Sequence, residues 1–235
     1  IGVRLVGSEM CIETGATPHP NDTFDAEAAR EIRKREVFDD RNIRDEYKGL
    51  STEEIHAKRK KNHLVAILSN TIRDFNFGSV VRSACCLGVE EVVFTGSRKY
   101  DKRGTVGAHK YMDIGYIHDQ LDAIEHYRNK GYTVIAAEYD ENYSMESLYD
   151  YIWDEKTAVI FGEERVSLPA EVLDCVDAIV CIPMPGGIPR SLNLGVSSGI
   201  FFSHYASQHP IDKSTPGQGN YPVYFFDNCV NLSLI

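Results

Sequence analysis

At residues 181–199 the chain reads CIPMPGGIPRSLNLGVSSG. The first half places three prolines and two glycines in a short, stiff loop, whose backbone amides and carbonyls we expect to be exposed. The second half predicts a helix that has Ser191 as its N-cap and contains Gly195 and Gly199. Each of these glycines costs a helix about 1 kcal/mol relative to alanine. We therefore expect another backbone to pass very close to this helix.

Outward from this stretch, short apolar runs alternate with amphipathic segments, which is typical of an α/β domain with a parallel sheet and helices on both faces. We assign this domain to residues 63–207. Its predicted strands are 63–68, 91–94, 133–137, 158–161 and 178–182, and its predicted helices are 78–87, 120–130, 145–151, 170–175 and 192–207.

Two appendages flank the predicted domain. Residues 1–62 predict a charged, partly helical extension, with a helical pattern from Phe24 onward and a second helix capped by Ser51 and Glu54. Residues 208–235, which are interrupted by prolines and glycines, predict an irregular tail.

Composition excludes several classes of protein. With 235 residues of which 43 % are hydrophobic, the chain can bury a core and is not wholly disordered. Its longest apolar run is shorter than the roughly 18 residues of a membrane span, so we expect no such span. The net charge of −10 argues against a basic nucleic-acid coat protein, although residues 98–110 carry five Lys/Arg against one Asp. Six cysteines lack metal-ligand spacing, which predicts reduced thiols in a cytoplasmic protein and no metal site.

The segment 70–89 carries a group of polar side chains at the predicted end of the first strand. Asn76 is well placed as an N-cap, and the following helix turns its apolar face inward. Because helical side chains lean toward the N-terminus, Arg82 reaches back over Gly78 and Ser79 toward the carboxyl edge of the sheet. A surface arginine is the simpler alternative, but ligands of open α/β sheets bind at this edge, which favours a ligand-binding role.

A second polar group follows the buried strand that ends at Phe161. Gly162 permits a close approach of backbone to a ligand, and Glu163 and Glu164 come next. Glu164 is compatible with binding a cation or a hydroxyl, and equally with capping the next turn. Asn193, in the first turn of the last predicted helix, faces the same edge.

In this order the three segments resemble the three motifs of the SpoU (SPOUT) family of RNA 2′-O-ribose methyltransferases. The first resembles Asn-x-Gly-x-x-x-Arg, and the second resembles Phe-Gly-x-Glu, although the family usually has more glycines there. The third resembles Ile-Pro-Met-x-Gly followed by Ser-Leu-Asn. The matching residues are Asn76, Arg82, Phe161, Gly162, Glu164, Leu168, Ile182, Met184, Gly186, Ser191, Leu192 and Asn193.

The resemblance implies a C-terminal trefoil knot, a homodimer with an active site drawn from both subunits, and S-adenosylmethionine as methyl donor. The implied catalytic residues are Arg82, Asn76, Glu164 and Asn193. The implied cofactor-binding residues are Phe161, Gly162, Glu163, Ile182, Met184, Ser191, Leu192 and Asn193.

The expected substrate is structured RNA and not DNA, with tRNA favoured over rRNA because the N-terminal extension is short and helical. The predicted RNA-binding residues are Arg73, Arg98, Lys99, Lys102 and Arg103. The alternative is a non-catalytic knotted adaptor or partner subunit that binds RNA. A nucleotide-binding enzyme of another kind lacks support, since no phosphate-loop motif is present.

Overall fold

The computed structural model describes residues 43–70, 76–163, 167–188 and 191–211. Its strands are β1 (Leu64–Asn70), β2 (Glu91–Gly96), β3 (Asp113–Tyr116), β4 (Thr133–Ala137), β5 (Glu146–Ser147), β6 (Thr157–Phe161) and β7 (Ala178–Cys181). Its α-helices are α1 (Thr52–Lys58), α2 (Asn76–Cys86), α3 (Gln120–Asn129), α4 (Ala170–Leu173) and α5 (Leu194–Gln208). Short 3-10 helices are formed by Asp45–Tyr47, Arg103–Thr105 and Ala108–Lys110.

The seven strands form one parallel sheet in the order β3-β2-β1-β6-β4-β7-β5. β1 lies inside the sheet, where Leu68 is opposite Phe94 of β2 on one side and Phe161 of β6 on the other. All seven residues of β1 are buried, as expected for a strand that is covered on both faces.

Successive side chains of β1 enter two separate apolar clusters. Leu64, Ala66 and Leu68 pack with residues of α2 and α5, whereas Val65 and Ile67 pack with residues of α3 and α4. The helices therefore cover both faces of the sheet, and the predicted fold class is confirmed. No helix in the described ranges combines the length and the apolar character needed to cross a bilayer.

The segment before the sheet contains the predicted capped helix. The Ser51 hydroxyl accepts from the Glu54 amide at 3.1 Å, and the Glu54 carboxylate accepts from the Ser51 amide at 2.8 Å, which confirms the capping box. Arg59 follows this helix and donates to the carbonyls of Val89 and Glu90, both at 2.7 Å. The helical pattern from Phe24 and the tail beyond residue 211 lie outside the described residues, and the domain boundaries stay predictions.

The prediction of a helix over residues 145–151 is wrong. This segment instead forms the edge strand β5, in which Ser147 pairs with Cys181 of β7, and then a turn. The Leu148 amide donates to the Cys181 carbonyl at 2.8 Å, and the Leu148 side chain is fully buried. Hydrogen bonding to an open sheet edge therefore outweighs the helical spacing of the local sequence.

Strand β3 and the cap of the last helix also differ from the expectations. β3 has the sequence DIGY, which has no apolar run, and it forms by pairing with β2. The last helix begins two residues later than predicted, because Asn193 and not Ser191 is its N-cap. The Asn193 side-chain oxygen accepts from the Gly195 amide at 2.9 Å.

In the described part of the chain, Gly195 and Gly199 of α5 do not pack against another backbone segment, contrary to the expectation from the sequence. A Cβ at Gly195 would lie 3.0 Å from the Cβ of Ser79, and one at Gly199 would lie 3.9 Å from the Ser83 hydroxyl, so both face small side chains of α2. Among the described residues, a close backbone contact lies elsewhere: a Cβ at Gly78 would lie 2.8 Å from the Cα of Gly104. The trefoil knot stays a prediction.

We expect Gly78→Ala to lower the free energy of unfolding by about 1–3 kcal/mol. The added methyl would lie 2.8 Å from the Asp101 carbonyl oxygen as well as from Gly104, and backbone atoms cannot move aside as a side-chain end can. Denaturant titration measures the change. Gly186→Ala is the control, because its methyl would meet no atom of the described residues within 4 Å; equal effects of the two substitutions would contradict the close contact.

Candidate functional site

The carboxyl ends of four neighbouring strands bring the predicted site segments to one edge of the sheet. β1, β6, β4 and β7 are consecutive in the sheet, and all run parallel. Gly162 follows β6, Glu138 follows β4, and Ile182 follows β7. Carboxyl edges of open α/β sheets are where such folds bind ligands, and the topology assembles the second and third segments there.

A hydrogen bond joins the first segment to the third. The Asn193 side-chain nitrogen donates to the side-chain oxygen of Asn76 at 2.8 Å, across 117 residues of sequence. The same Asn193 side chain caps α5 through its oxygen. Asn193 therefore fixes the start of α5 against the start of α2, and two of the predicted catalytic residues are in direct contact.

Arg82 lies in a cleft of about 400 Å³ beside α2, together with Ser79, Ser83, Cys86, Leu87 and Gly104. Its side chain is half-buried. Among the described residues, no acceptor or carboxylate binds the Arg82 guanidinium. The cleft therefore presents a cation that is available to an anionic ligand.

The thiols near this cleft are protonated at neutral pH. Burial raises the pKa of Cys85 to about 11. Burial also raises the pKa of Cys86, despite an opposing effect of the Arg82 charge. Neither thiol is therefore suited to act as a base or a nucleophile in the cleft.

The loop after β2 carries the predicted RNA-binding cations, and buried contacts fix its start. The fully buried side chain of Asn70 donates to the carbonyl of Ser97 at 2.6 Å and to that of Lys99 at 3.0 Å. Further along, Gly104 packs on Gly78 at the start of α2. The loop is thus attached at its start and again near its middle, where Gly104 lines the Arg82 cleft.

The four predicted RNA-binding cations of this loop, Arg98, Lys99, Lys102 and Arg103, differ in their surroundings. The Arg98 guanidinium lies 4.3 Å from the centroid of the Tyr116 ring. Arg103 binds the Asp101 carboxylate through Nε at 2.9 Å and through a terminal nitrogen at 2.5 Å, and this contact lowers the pKa of Asp101. Lys99 and Lys102 are exposed and form no ion pair with a described residue. These two lysines are the cations that can most readily meet a phosphate.

Five of the predicted cofactor-binding residues, Phe161, Gly162, Glu163, Ile182 and Met184, lie at or after the ends of β6 and β7, the two strands that flank β4. Phe161 and Glu163 are buried, and Gly162, Ile182 and Met184 are half-buried. Ser191 and Leu192 are exposed at the start of the segment that enters α5. Within the described part of the chain, the amides of Met184 and Gly186 donate to no protein acceptor. This edge therefore offers apolar side chains together with open backbone donors.

Comparison with known proteins identifies the family. Residues 63–203 match the model of the SpoU rRNA Methylase family. The chain belongs to the SpoU family. A relative in Thermus thermophilus, a tRNA (guanosine(18)-2′-O)-methyltransferase, is 28 % identical over 146 residues, which cover 61 % of this chain and 74 % of the relative.

Solved structures share this SpoU fold. The TrmH/SpoU tRNA modifying enzyme of Aquifex aeolicus superposes with a TM-score of 0.60 at 21 % identity, covering 67 % of this chain and 82 % of that one. An AdoMet-bound rRNA methyltransferase of Sinorhizobium meliloti superposes with a TM-score of 0.54 at 22 % identity, covering 65 % and 59 % of the two chains.

The described residues bring together only part of the predicted SpoU site. Arg73 and Glu164 lie outside the described residues. Of those within them, Asn76 and Asn193 are in contact, whereas Arg82 lies in a cleft to which no described residue of the second or third segment contributes. Of the described residues predicted to bind the cofactor, none lines the Arg82 cleft, although Asn193 bonds to Asn76 at the start of the same helix.

Sequence reasoning missed three residues that shape the SpoU site: Asn70, Gly104 and Glu138. Asn70 is the last residue of a buried strand, where a polar side chain is a recognisable signal for a role in loop attachment. Glu138 directly follows a buried strand in the same way. Gly104 had no such signal, because its role depends on a contact with a helix that precedes it by 26 residues.

Proposed function

We propose that this protein transfers a methyl group from S-adenosylmethionine to a ribose 2′-hydroxyl of tRNA. Membership of the SpoU family and the activity named for the Thermus relative support this proposal. The observation that carries it is the half-buried Arg82, which binds no described acceptor in its cleft and stands where the family motif has arginine. We place the enzyme in the cytoplasm, consistent with the four free thiols of the described residues.

The carboxyl edge around β4 suits S-adenosylmethionine. Bound there, the cofactor supplies an electrophilic methyl group. The residues that would hold it are Phe161, Gly162, Glu163, Ile182, Met184, Ser191, Leu192 and Asn193. Adenine has an apolar face and a polar edge, and this part of the protein offers both apolar side chains and, among the described residues, open amides at Met184 and Gly186. The chemistry of these groups therefore fits the cofactor.

Arg82 acts through binding and orientation. A guanidinium with a pKa above about 12 is a poor base, and the nearby thiols are protonated. We assign Arg82 to the phosphate next to the target ribose, where two parallel hydrogen bonds would orient the 2′-hydroxyl. Asn76 and Asn193 hold the surrounding geometry through their mutual hydrogen bond. Glu164 keeps the supporting role that the resemblance implies.

Arg82→Ala should reduce turnover by about a hundredfold or more, because it removes the group that orients the substrate. Arg82→Lys should restore little, since an ammonium cannot form the paired contact of a guanidinium. The measurement is transfer of labelled methyl groups to tRNA, followed by mass spectrometry of the nucleosides.

Calorimetry with S-adenosylmethionine is the control for this substitution, and we expect Arg82→Ala to bind the cofactor normally. Near-normal turnover of Arg82→Ala would refute the catalytic assignment. A wild-type protein that binds tRNA but neither S-adenosylmethionine nor S-adenosylhomocysteine would instead be the RNA-binding adaptor.

Exposed lysines of the loop after β2 should contact the RNA backbone. Replacing Lys99 and Lys102 together with Ala should weaken tRNA binding and reduce the salt dependence of log K by about one unit for each lysine–phosphate pair that is removed. The matched control is the double substitution of Lys130 and Lys156, which precede β4 and β6 at the opposite edge of the sheet. Equal salt slopes for the two double variants would refute this assignment.

We further propose that the active enzyme is a homodimer in which one protomer supplies Arg82 and the other supplies the cofactor edge. The lining of the Arg82 cleft, which includes no described cofactor-binding residue, supports this arrangement.

Mixing Arg82→Ala with Met184→Asp should recover activity that neither variant has alone. If the subunits exchange at random, half of the dimers are mixed, and each mixed dimer has one complete site out of two. We therefore expect about a quarter of wild-type activity. Sedimentation should show a dimer, and circular dichroism checks that each variant folds. Failure to recover activity in mixed dimers would place the whole site in one protomer.

A further inference from the structure

The loop between β6 and α4 carries the second SpoU segment and has one glycine, Gly162, in the seven residues from 162 to 168. A loop with few glycines has little access to left-handed backbone conformations. The two ends of this loop lie within the described residues. Phe161 sets the first end, because it pairs with Ala137 of β4.

The other end is held by Glu138, the residue that follows Ala137. Its Oε2 accepts a hydrogen bond from the Leu168 amide at 3.0 Å, and its Oε1 accepts from the adjacent Tyr139 amide at 3.0 Å. Glu138 is half-buried, and the Leu168 side chain is 4 % exposed. The Glu138 carboxylate thus joins the end of β4 to the buried residue Leu168 at the far end of the loop.

The backbone of Glu138 is fixed as well. Its amide donates to the carbonyl of Val180 in β7 at 3.3 Å. Glu138 consequently stands between the residues that follow β6 and those that follow β7, which are the two groups of predicted cofactor-binding residues. A hydrogen bond from an amide to a carboxylate is stronger than one between neutral groups, so this contact is well suited to hold a loop in a single conformation.

We propose that Glu138 is a positioning residue for the S-adenosylmethionine site, which it preforms by holding Leu168 and hence the loop that carries Gly162 and Glu163. This inference rests on the proposed function. Glu138 acts on the loop through Leu168 in the free protein. Binding of the cofactor should therefore depend on Glu138, while tRNA binding should not.

Glu138→Ala should weaken S-adenosylmethionine binding by about tenfold, the effect of losing one hydrogen bond to a charged group. The KM for S-adenosylmethionine should rise by a similar factor, with kcat and the Kd for tRNA nearly unchanged. Glu138→Gln should give a smaller loss, because it keeps a carbonyl acceptor. Glu141→Ala is the matched control, because it also removes one negative charge from the segment that follows β4. There the Glu141 carboxylate accepts from the Tyr139 hydroxyl.

Amide hydrogen exchange in the cofactor-free protein tests whether the effect passes through Leu168. We expect exchange of the Leu168 amide to accelerate in Glu138→Ala and to remain unchanged in Glu141→Ala. Weaker cofactor binding with unchanged Leu168 exchange would mean that Glu138 touches the cofactor directly, which overturns the positioning role. Unchanged cofactor affinity in Glu138→Ala would also overturn it, whereas a wild-type protein without cofactor affinity would refute the proposed function itself.

Discussion

Burial of both faces of the parallel sheet is the constraint on which the rest of the structure depends. β1 and β6 are completely buried, so the side chains along them contribute mainly apolar packing, and their polar residues, Ser69, Asn70 and Thr157, lie at the strand ends. Polar chemistry is thereby confined to the ends of the strands. Since all strands are parallel, the carboxyl ends of β1, β6, β4 and β7 lie at one edge, and the common direction of the strands brings segments about a hundred residues apart into one site.

Helix α2 connects this edge to the rest of the protein through its small residues. Gly78 packs against the backbone of Gly104 in the loop after β2, and Ser79 packs against Gly195 of α5. One side of the helix thus holds the basic loop, and another side holds the helix that carries the third segment. A larger side chain at Gly78 would separate parts that both belong to the proposed active site, so packing and function are coupled at this helix.

The electrostatics of the protein are local. A net charge of −10 would repel a polyanion at long range, yet the Arg82 cleft and the exposed lysines of the neighbouring loop place cations within one region. Screening at physiological salt limits charge interactions to about 8 Å, so nearby cations outweigh distant carboxylates. Not every cation contributes equally, because the carboxylate of Asp101 already binds Arg103.

The sequence by itself determined the alternation of strands and helices, the three polar segments and their family, because buried parallel strands and capped helices leave strong local patterns. It also predicted the Ser51 cap, which involves residues only three apart. Tertiary structure alone decided that 145–151 adds a strand to the sheet edge, that Asn193 caps α5 while binding Asn76, and that Glu138 holds Leu168. Apart from the cap itself, which involves Gly195, each of these contacts joins residues at least 30 positions apart, and the energy of such a contact has no signature in the residues next to it.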